Sequence, residues 1–186
     1  MSAERRIFRI IREAPGVHVR EIERRAGVAY GAVDYHLRRL EERGLVRGEP
    51  SEQLKVYFTT EFPREDRALA AAIRADPARR ILAALLSLKE LAHGELADAT
   101  GLGLSTVSHH AKRLALKGVV VARAEGRRTI FSLAEPTRVE RVLIRHGHSV
   151  GDGALDAYIT VWSEWRHPRA GGRPEDEAER KNAPPP

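Results

Sequence analysis

Apolar residues in the first sixty positions fall three times at helical spacing and then switch to the alternation of a strand. Ile7, Ile10 and Ile11 recur three and four apart, with Arg5, Arg6, Arg9 and Arg12 on the other side. That predicts a helix over residues 3–14, stopped by Pro15-Gly16. A short strand at 17–19 is expected to pair with a later one, followed by helices at 19–26 and 29–43, the latter turning Val33, Leu37 and Leu40 inward. Strands are expected at 45–47 and 54–59, joined by a 48–53 tip that Glu49 and Glu52 make acidic. Phe62-Pro63-Arg64-Glu65 is a seam, and 66–75 reads as a linking helix with Leu69 and Ile73 as its apolar points. Asp76-Pro77 pairs an N-cap with a proline at the first helical position, a restart signal for a helix carrying Ile81, Leu82, Leu85 and Leu86.

The pattern then repeats. Residues 95–101 form one short helix stopped by Gly101, and Ser105 offers an N-cap hydroxyl for the next. That helix carries Val107, Ala111 and Leu114 on one face, with Lys112 and Arg113 beside it, and Gly118 closes it. Val119-Val120-Val121, a turn at Gly126-Arg127-Arg128 and a strand from Thr129 complete a hairpin with a basic tip. Subtracting 74 from these numbers superimposes this stretch on residues 21–58 without a gap. Glu95 falls on Glu21, Gly101 on Gly27, Val107 on Val33, His110 on His36, Arg113 on Arg39, Leu114 on Leu40, Gly118 on Gly44 and Val120 on Val46. Identities kept at turn glycines and core contacts are what two copies of one supersecondary unit retain.

Helix, tight turn, helix and basic hairpin in this order resemble the winged helix-turn-helix regulators of the broad ArsR and MarR kind. The resemblance covers residues 7–133 and implies two winged helix-turn-helix domains in tandem, each with a second helix shaped for the DNA major groove. The expected fold is therefore α+β, mainly α with small β wings, plus carboxy-terminal helices. Expected domains are 1–62, 63–135 with the linking helix, a helical segment at 136–167 and a disordered tail at 168–186 that is rich in Gly, Pro and charge.

Composition narrows the function. The 186 residues carry a net charge of +6, which favours a polyanionic partner, although arginine-rich genome bias can produce the same excess. There is no cysteine, hence neither disulfide framework nor thiolate ligand. No apolar run reaches the roughly 18 residues of a membrane span, and the first residues lack a secretory signal, so a cytoplasmic address is expected. Gly101-Leu102-Gly103 sits inside the helix-turn-helix and not after a strand, so no phosphate loop, catalytic residue or cofactor is expected.

The partner expected is double-stranded DNA. In the second unit Ser105, Thr106, Ser108, His109 and Lys112 are candidates for base or phosphate contact, with Arg123, Arg127 and Arg128 on the wing. A solvated face used only for protein contact is the alternative. In the first unit the matching face shows Tyr30, Gly31, Asp34, Tyr35 and Arg38. A tyrosine can bond phosphate, but an aspartate repels it, so the two units are expected to differ as readers. His36 and His110 share one repeat position and read as packed or capping histidines. His109-His110 and His146-Gly147-His148 invite metal sensing, but adjacent helical histidines point apart and only Asp152 could supply a carboxylate, so no metal is expected. Thr137 with Glu140 reads as a capping box opening a helix with Val139, Val142 and Leu143 as its stripe, closed by Gly147. A last helix at 152–167 carries Leu155, Tyr158, Ile159, Trp162 and Trp165 in one stripe. Together these stripes suggest a homodimer, with folding back onto the second domain as the alternative. The whole reads as a sequence-specific transcription regulator. A tandem winged-helix scaffold of a chromosome-structuring or transcription complex is the second reading, to which the basic charge is the objection.

Overall fold

The computed structural model describes residues 2–51 and 54–146. The first unit opens with α1 (Ala3–Glu13), capped by the Ser2 hydroxyl, whose Ile7, Ile10 and Ile11 are buried. Strand β1 (Val17–His18) leads into α2 (Val19–Ala26) and α3 (Tyr30–Glu42), which buries Val33, Leu37 and Leu40. The hairpin β2 (Val46–Ser51) and β3 (Leu54–Thr59) folds back so that the sheet order is β1-β3-β2, all antiparallel. A short linker helix α4 (Arg67–Ala72) follows a single 3-10 turn at Arg64–Asp66.

The second unit repeats the element order of the first. Its helices are α5 (Asp76–Leu88), α6 (His93–Thr100) and α7 (Leu104–Leu116), and its strands β4 (Glu90–Ala92), β5 (Val120–Glu125) and β6 (Arg128–Leu133), with sheet order β4-β6-β5. Adding 74 to the bounds of α2, α3, β2 and β3 gives the bounds of α6, α7, β5 and β6 with no remainder. Gly27 and Gly101 end the matched helices at φ 62° and 64°, a conformation that β-carbons disfavour. Helix α8 (Pro136–His146) closes the described chain.

The structure corrects the sequence expectations at helix starts. Helix α7 begins at Leu104 with Gly103 as N-cap, so Ser105 lies inside its first turn and caps nothing. Asp76 likewise sits inside α5 behind Ala75, and its carboxylate pairs with Arg79 and Arg80 instead of the backbone. Helix α8 begins with Pro136, one residue ahead of Thr137, so no Thr137–Glu140 box forms. The expected linking helix at 66–75 is shorter, because Arg79 donates to the Ile73 and Arg74 carbonyls and satisfies groups that would otherwise continue the helix. Burial in that place pulls the Arg79 pKa down from its usual value. Strand β2 runs on to Ser51, so Glu49 belongs to the sheet and pairs with Arg67, not to an acidic tip. Arg128 is the first residue of β6 rather than a turn residue. Val139 and Val142 are buried in the second unit's own core, with Leu143 packed against it, so they do not offer a free dimer stripe.

The two units meet along α4. On β3, Tyr57 faces the first core, whereas Val56 and Phe58 join the core that holds Leu69, Ile73, Ile81 and Leu85. Ion pairs flank this seam: Arg67 with Glu49 of β2, Arg74 with Glu21 of α2, and Asp66 with Arg138 and Arg141 of α8. Asp66 is buried, and its carboxylate accepts from Arg138 Nε at 2.9 Å and from Arg141 Nη2 at 3.2 Å. Asp66→Asn keeps the shape and removes the charge those two guanidiniums face. It should lower unfolding free energy by about 2 kcal/mol, less than a fully buried pair because Arg141 is half exposed. Urea denaturation followed by circular dichroism measures it, and an unchanged midpoint would show the cluster to be without net value.

Candidate nucleic-acid interface

Helix α7 owes its orientation to Val107, Ala111 and Leu114, which are fully or almost fully buried. Three- and four-residue steps then put Ser105, His109 and Lys112 together on the opposite, exposed side. Thr106 is half-buried. Ser108 is exposed but turned sideways, its Oγ 2.7 Å from Nε2 of His93 at the start of α6. His109 lies 3.3 Å from an Arg113 guanidinium nitrogen and meets His110 edge to face at 5.1 Å between ring centres.

Between α7 and the wing runs an open groove of about 670 Å³. Ser108, Lys112 and Ala115 wall it on the helix side, His93 and Gly94 at one end, and Ala122, Arg127, Arg128 and Thr129 on the wing side, over a floor of Ala92 and Phe131. The wing returns through the tight pairing of Glu125 with Arg128, which leaves Arg127 exposed at the tip. Arg128 donates to Glu95 at 2.7 Å. Glu95 also accepts from the Ala92 backbone N–H at 2.7 Å, and that bond, then Arg128, holds its pKa below the usual carboxylate value. Arg123 lies 3.5 Å from Glu90 and 3.9 Å from Glu125, on β5 beyond the groove lining.

Sequence reasoning passed over His93, Glu95 and Glu90 here. The signal that could have found His93 is the repeat itself, since a histidine stands where the first unit has Val19.

The first unit presents a different face on the same frame. Tyr30 and Tyr35 are more than half exposed, and the Tyr35 hydroxyl accepts from Arg39 at 3.5 Å. Asp34 pairs with Arg38 at 2.7 Å. Glu41 accepts from both the Gly48 N–H and the Lys55 ammonium at 2.9 Å, and the bond to Glu41 is the leading cause of a raised Lys55 pKa. His36 is half-buried, with Nδ1 3.9 Å from the Glu4 carboxylate. His146 packs its ring 5.3 Å from that of Phe62, and the described residues bring no three metal-ligating side chains together. The candidate dimer residues Leu155, Tyr158, Ile159, Trp162 and Trp165, like His148 and Asp152, lie outside the described residues.

Two three-helix units, each with a third helix laid across its first two and a two-stranded wing, define a tandem winged helix-turn-helix protein. Comparison with known families agrees: residues 1–69 match a family described as an N-terminal HTH domain, and residues 76–121 match the family of winged helix-turn-helix DNA-binding domains. The chain is 26% identical over 135 residues to the uncharacterized HTH-type transcriptional regulator MJ1398 of Methanocaldococcus jannaschii. That alignment covers 72% of this chain and 34% of the relative, so the chain spans about a third of its length. Among solved structures it is similar to reduced HlyU from Vibrio cholerae N16961, with 27% identity over 44% of this chain and 85% of the other, at a TM-score of 0.39. Among the described residues no helix is long and apolar enough to cross a membrane.

Proposed function

We propose that this protein is a sequence-specific transcription regulator that binds double-stranded DNA mainly through its second winged unit, on cytoplasmic DNA. The observation that carries the reading is the exposed Ser105–His109–Lys112 line of α7 beside a wing that presents Arg127 and Arg128 to the same side of one groove. The family match of this unit to DNA-binding domains and the regulator name of the relative support it. Ser105, Thr106 and His109 are assigned to base edges or nearby phosphates, and Lys112, Arg123, Arg127 and Arg128 to phosphates. The first unit adds an auxiliary contact through Tyr30, Tyr35 and Arg38, with Asp34 neutralised by Arg38. Dimerisation through Leu155, Tyr158, Ile159, Trp162 and Trp165 would place two copies on a palindromic site, and light scattering of the full chain tests that part.

Arg127→Ala with Arg128→Ala should weaken binding to all sequences alike. The slope of log affinity against log salt should flatten by about one unit for each phosphate no longer held. Fluorescence anisotropy with specific and random duplexes at several salt concentrations reads both quantities. If affinity and slope stay as in the parent, the wing has no part in binding.

A further inference from the structure

The repeat allows the two wing grooves to be compared position by position, and they differ in one respect that bears on DNA. Three residues that line the open groove of the second unit, Ala115, Ala122 and Thr129, correspond to Glu41, Gly48 and Lys55 in the first. There the Lys55 ammonium and the Gly48 N–H both bind the Glu41 carboxylate. The ion pair lies directly over Gly48: a β-carbon there would fall 1.9 Å from Lys55 Cε and 2.8 Å from Glu41 Oε1 and would push those side-chain ends aside. The space that is an open groove in one copy is thus filled in the other by an internal ion pair. A second carboxylate, Asp34, takes the place of Ser108 and is held by Arg38 at the place of Lys112.

We infer that the groove of the second unit seats one backbone phosphate of the bound DNA, on Ser108 and Lys112 with His93 positioning the serine hydroxyl, and that the Glu41–Lys55 plug closes the matching seat in the first unit. The inference rests on the DNA-binding reading and assigns the phosphate contact within it. A backbone phosphate presents two non-bridging oxygens that accept hydrogen bonds and share one negative charge. The second groove meets it with a hydroxyl set by an imidazole and with the cationic Lys112 and Arg127, while Arg128 is held by Glu95 at 2.7 Å, a carboxylate outside the groove lining. In the first groove every cation named is already matched to an acid, and a phosphate there would face Asp34 and Glu41. His93 becomes a positioning residue: its Nε2 is hydrogen-bonded to Ser108 Oγ at 2.7 Å, and an N–H donated to that oxygen leaves the hydroxyl hydrogen for the phosphate.

The test moves the plug. Ala115→Glu, Ala122→Gly and Thr129→Lys made together install the first unit's triad at the matching helix and wing positions of the second unit, at unchanged net charge. Any effect on DNA binding is then local. Full-length parent and variant are titrated into a random-sequence duplex over a range of salt, with thermal melts to compare folding. Loss of about tenfold or more in affinity at low salt, with a salt slope flatter by about one, is the expected result. Ser108→Ala, at an exposed position, and His93→Gln, whose ring lies 6.2 Å from that of the core residue Phe131 and whose melt is therefore compared as well, should each cost about fivefold, the scale of one hydrogen bond, and keep the question answerable should the triple variant misfold. Equal affinity and slope in a folded triple variant, with the single variants also at parent level, overturns the seat while leaving the DNA reading in place. A parent that binds no duplex overturns the DNA reading itself. Inorganic phosphate at matched ionic strength should not displace the duplex; displacement at low millimolar concentration would make the groove a free-phosphate site and overturn the assignment.

Discussion

Phe58→Ala is expected to cost about 3–5 kcal/mol of unfolding free energy, among the largest effects of any single truncation in this chain. The ring is 1% exposed and belongs to the core built by Leu69, Ile73, Ile81 and Leu85, although its strand β3 is part of the first unit's wing. Phe62 lies 5.5 Å from it ring to ring, and the Arg67 guanidinium stands 5.9 Å over its face. Truncation therefore removes buried apolar area, opens a cavity at the seam and takes away the surface on which Arg67 is laid. The position in the second unit shows how specific this is. Adding 74 gives Ser132, which is half-buried and outside the core; among the described residues no counterpart of α4 covers that face of the second sheet. Ser132→Ala should stay within about 0.5 kcal/mol of the parent. Denaturant unfolding followed at several amide-sensitive wavelengths also reports cooperativity. One coincident transition is expected for the parent, because the two cores share β3, and separated transitions would show that the units fold independently.

The seam was partly written in the chain. Val56-Tyr57-Phe58 is three apolar residues in a row on a strand, and such a run marks a strand covered on both faces. In the corresponding Ile130-Phe131-Ser132 a serine ends the run at the place of Phe58. Repeat register, hairpin positions and the inward faces of α3 and α7 were legible for the same reason: glycines and core residues obey local rules at fixed spacing. Helix starts were less legible. Ser105, Asp76 and Thr137 all have capping side chains, yet each lies inside its helix: Gly103 and Ala75 hold the N-cap positions of α7 and α5, and α8 begins at Pro136, because tertiary packing sets the boundary against the cap preference. Least legible were the ion pairs that decide which acids and bases stay open to a partner. Arg67 finds Glu49 18 positions away, Arg74 finds Glu21 at 53, and Arg138 finds Asp66 at 72. The same holds for the candidate site, where Arg128 and Glu95 are 33 apart in sequence and 2.7 Å apart in space. Charge counting along the chain treats all of these as free.

Gly16→Ala is the second large effect, expected at about 2–4 kcal/mol, and it acts at the joint between the units. Gly16 adopts φ +79°, where an alanine is strained by roughly 1–2 kcal/mol. Its backbone N–H donates to the Tyr57 carbonyl at 2.9 Å, so the loop cannot rotate to relieve the strain without losing a bond to β3. A β-carbon would also sit 2.9 Å from the Ala71 Cα and 3.1 Å from its nitrogen. Both are backbone atoms of α4, so no side-chain rotation makes room, and α4 must move away from the first unit. Movement of α4 strains the Arg74–Glu21 pair next to it. Gly27→Ala separates the two costs. Gly27 has φ +62° but nothing within 4 Å of its β-carbon position, so it should show the conformational cost alone. Paired chemical denaturation of the two variants gives the packing part as a difference, expected at about 1–2 kcal/mol. Equal losses in the two variants would mean that α4 yields freely at this point and that the units are joined elsewhere.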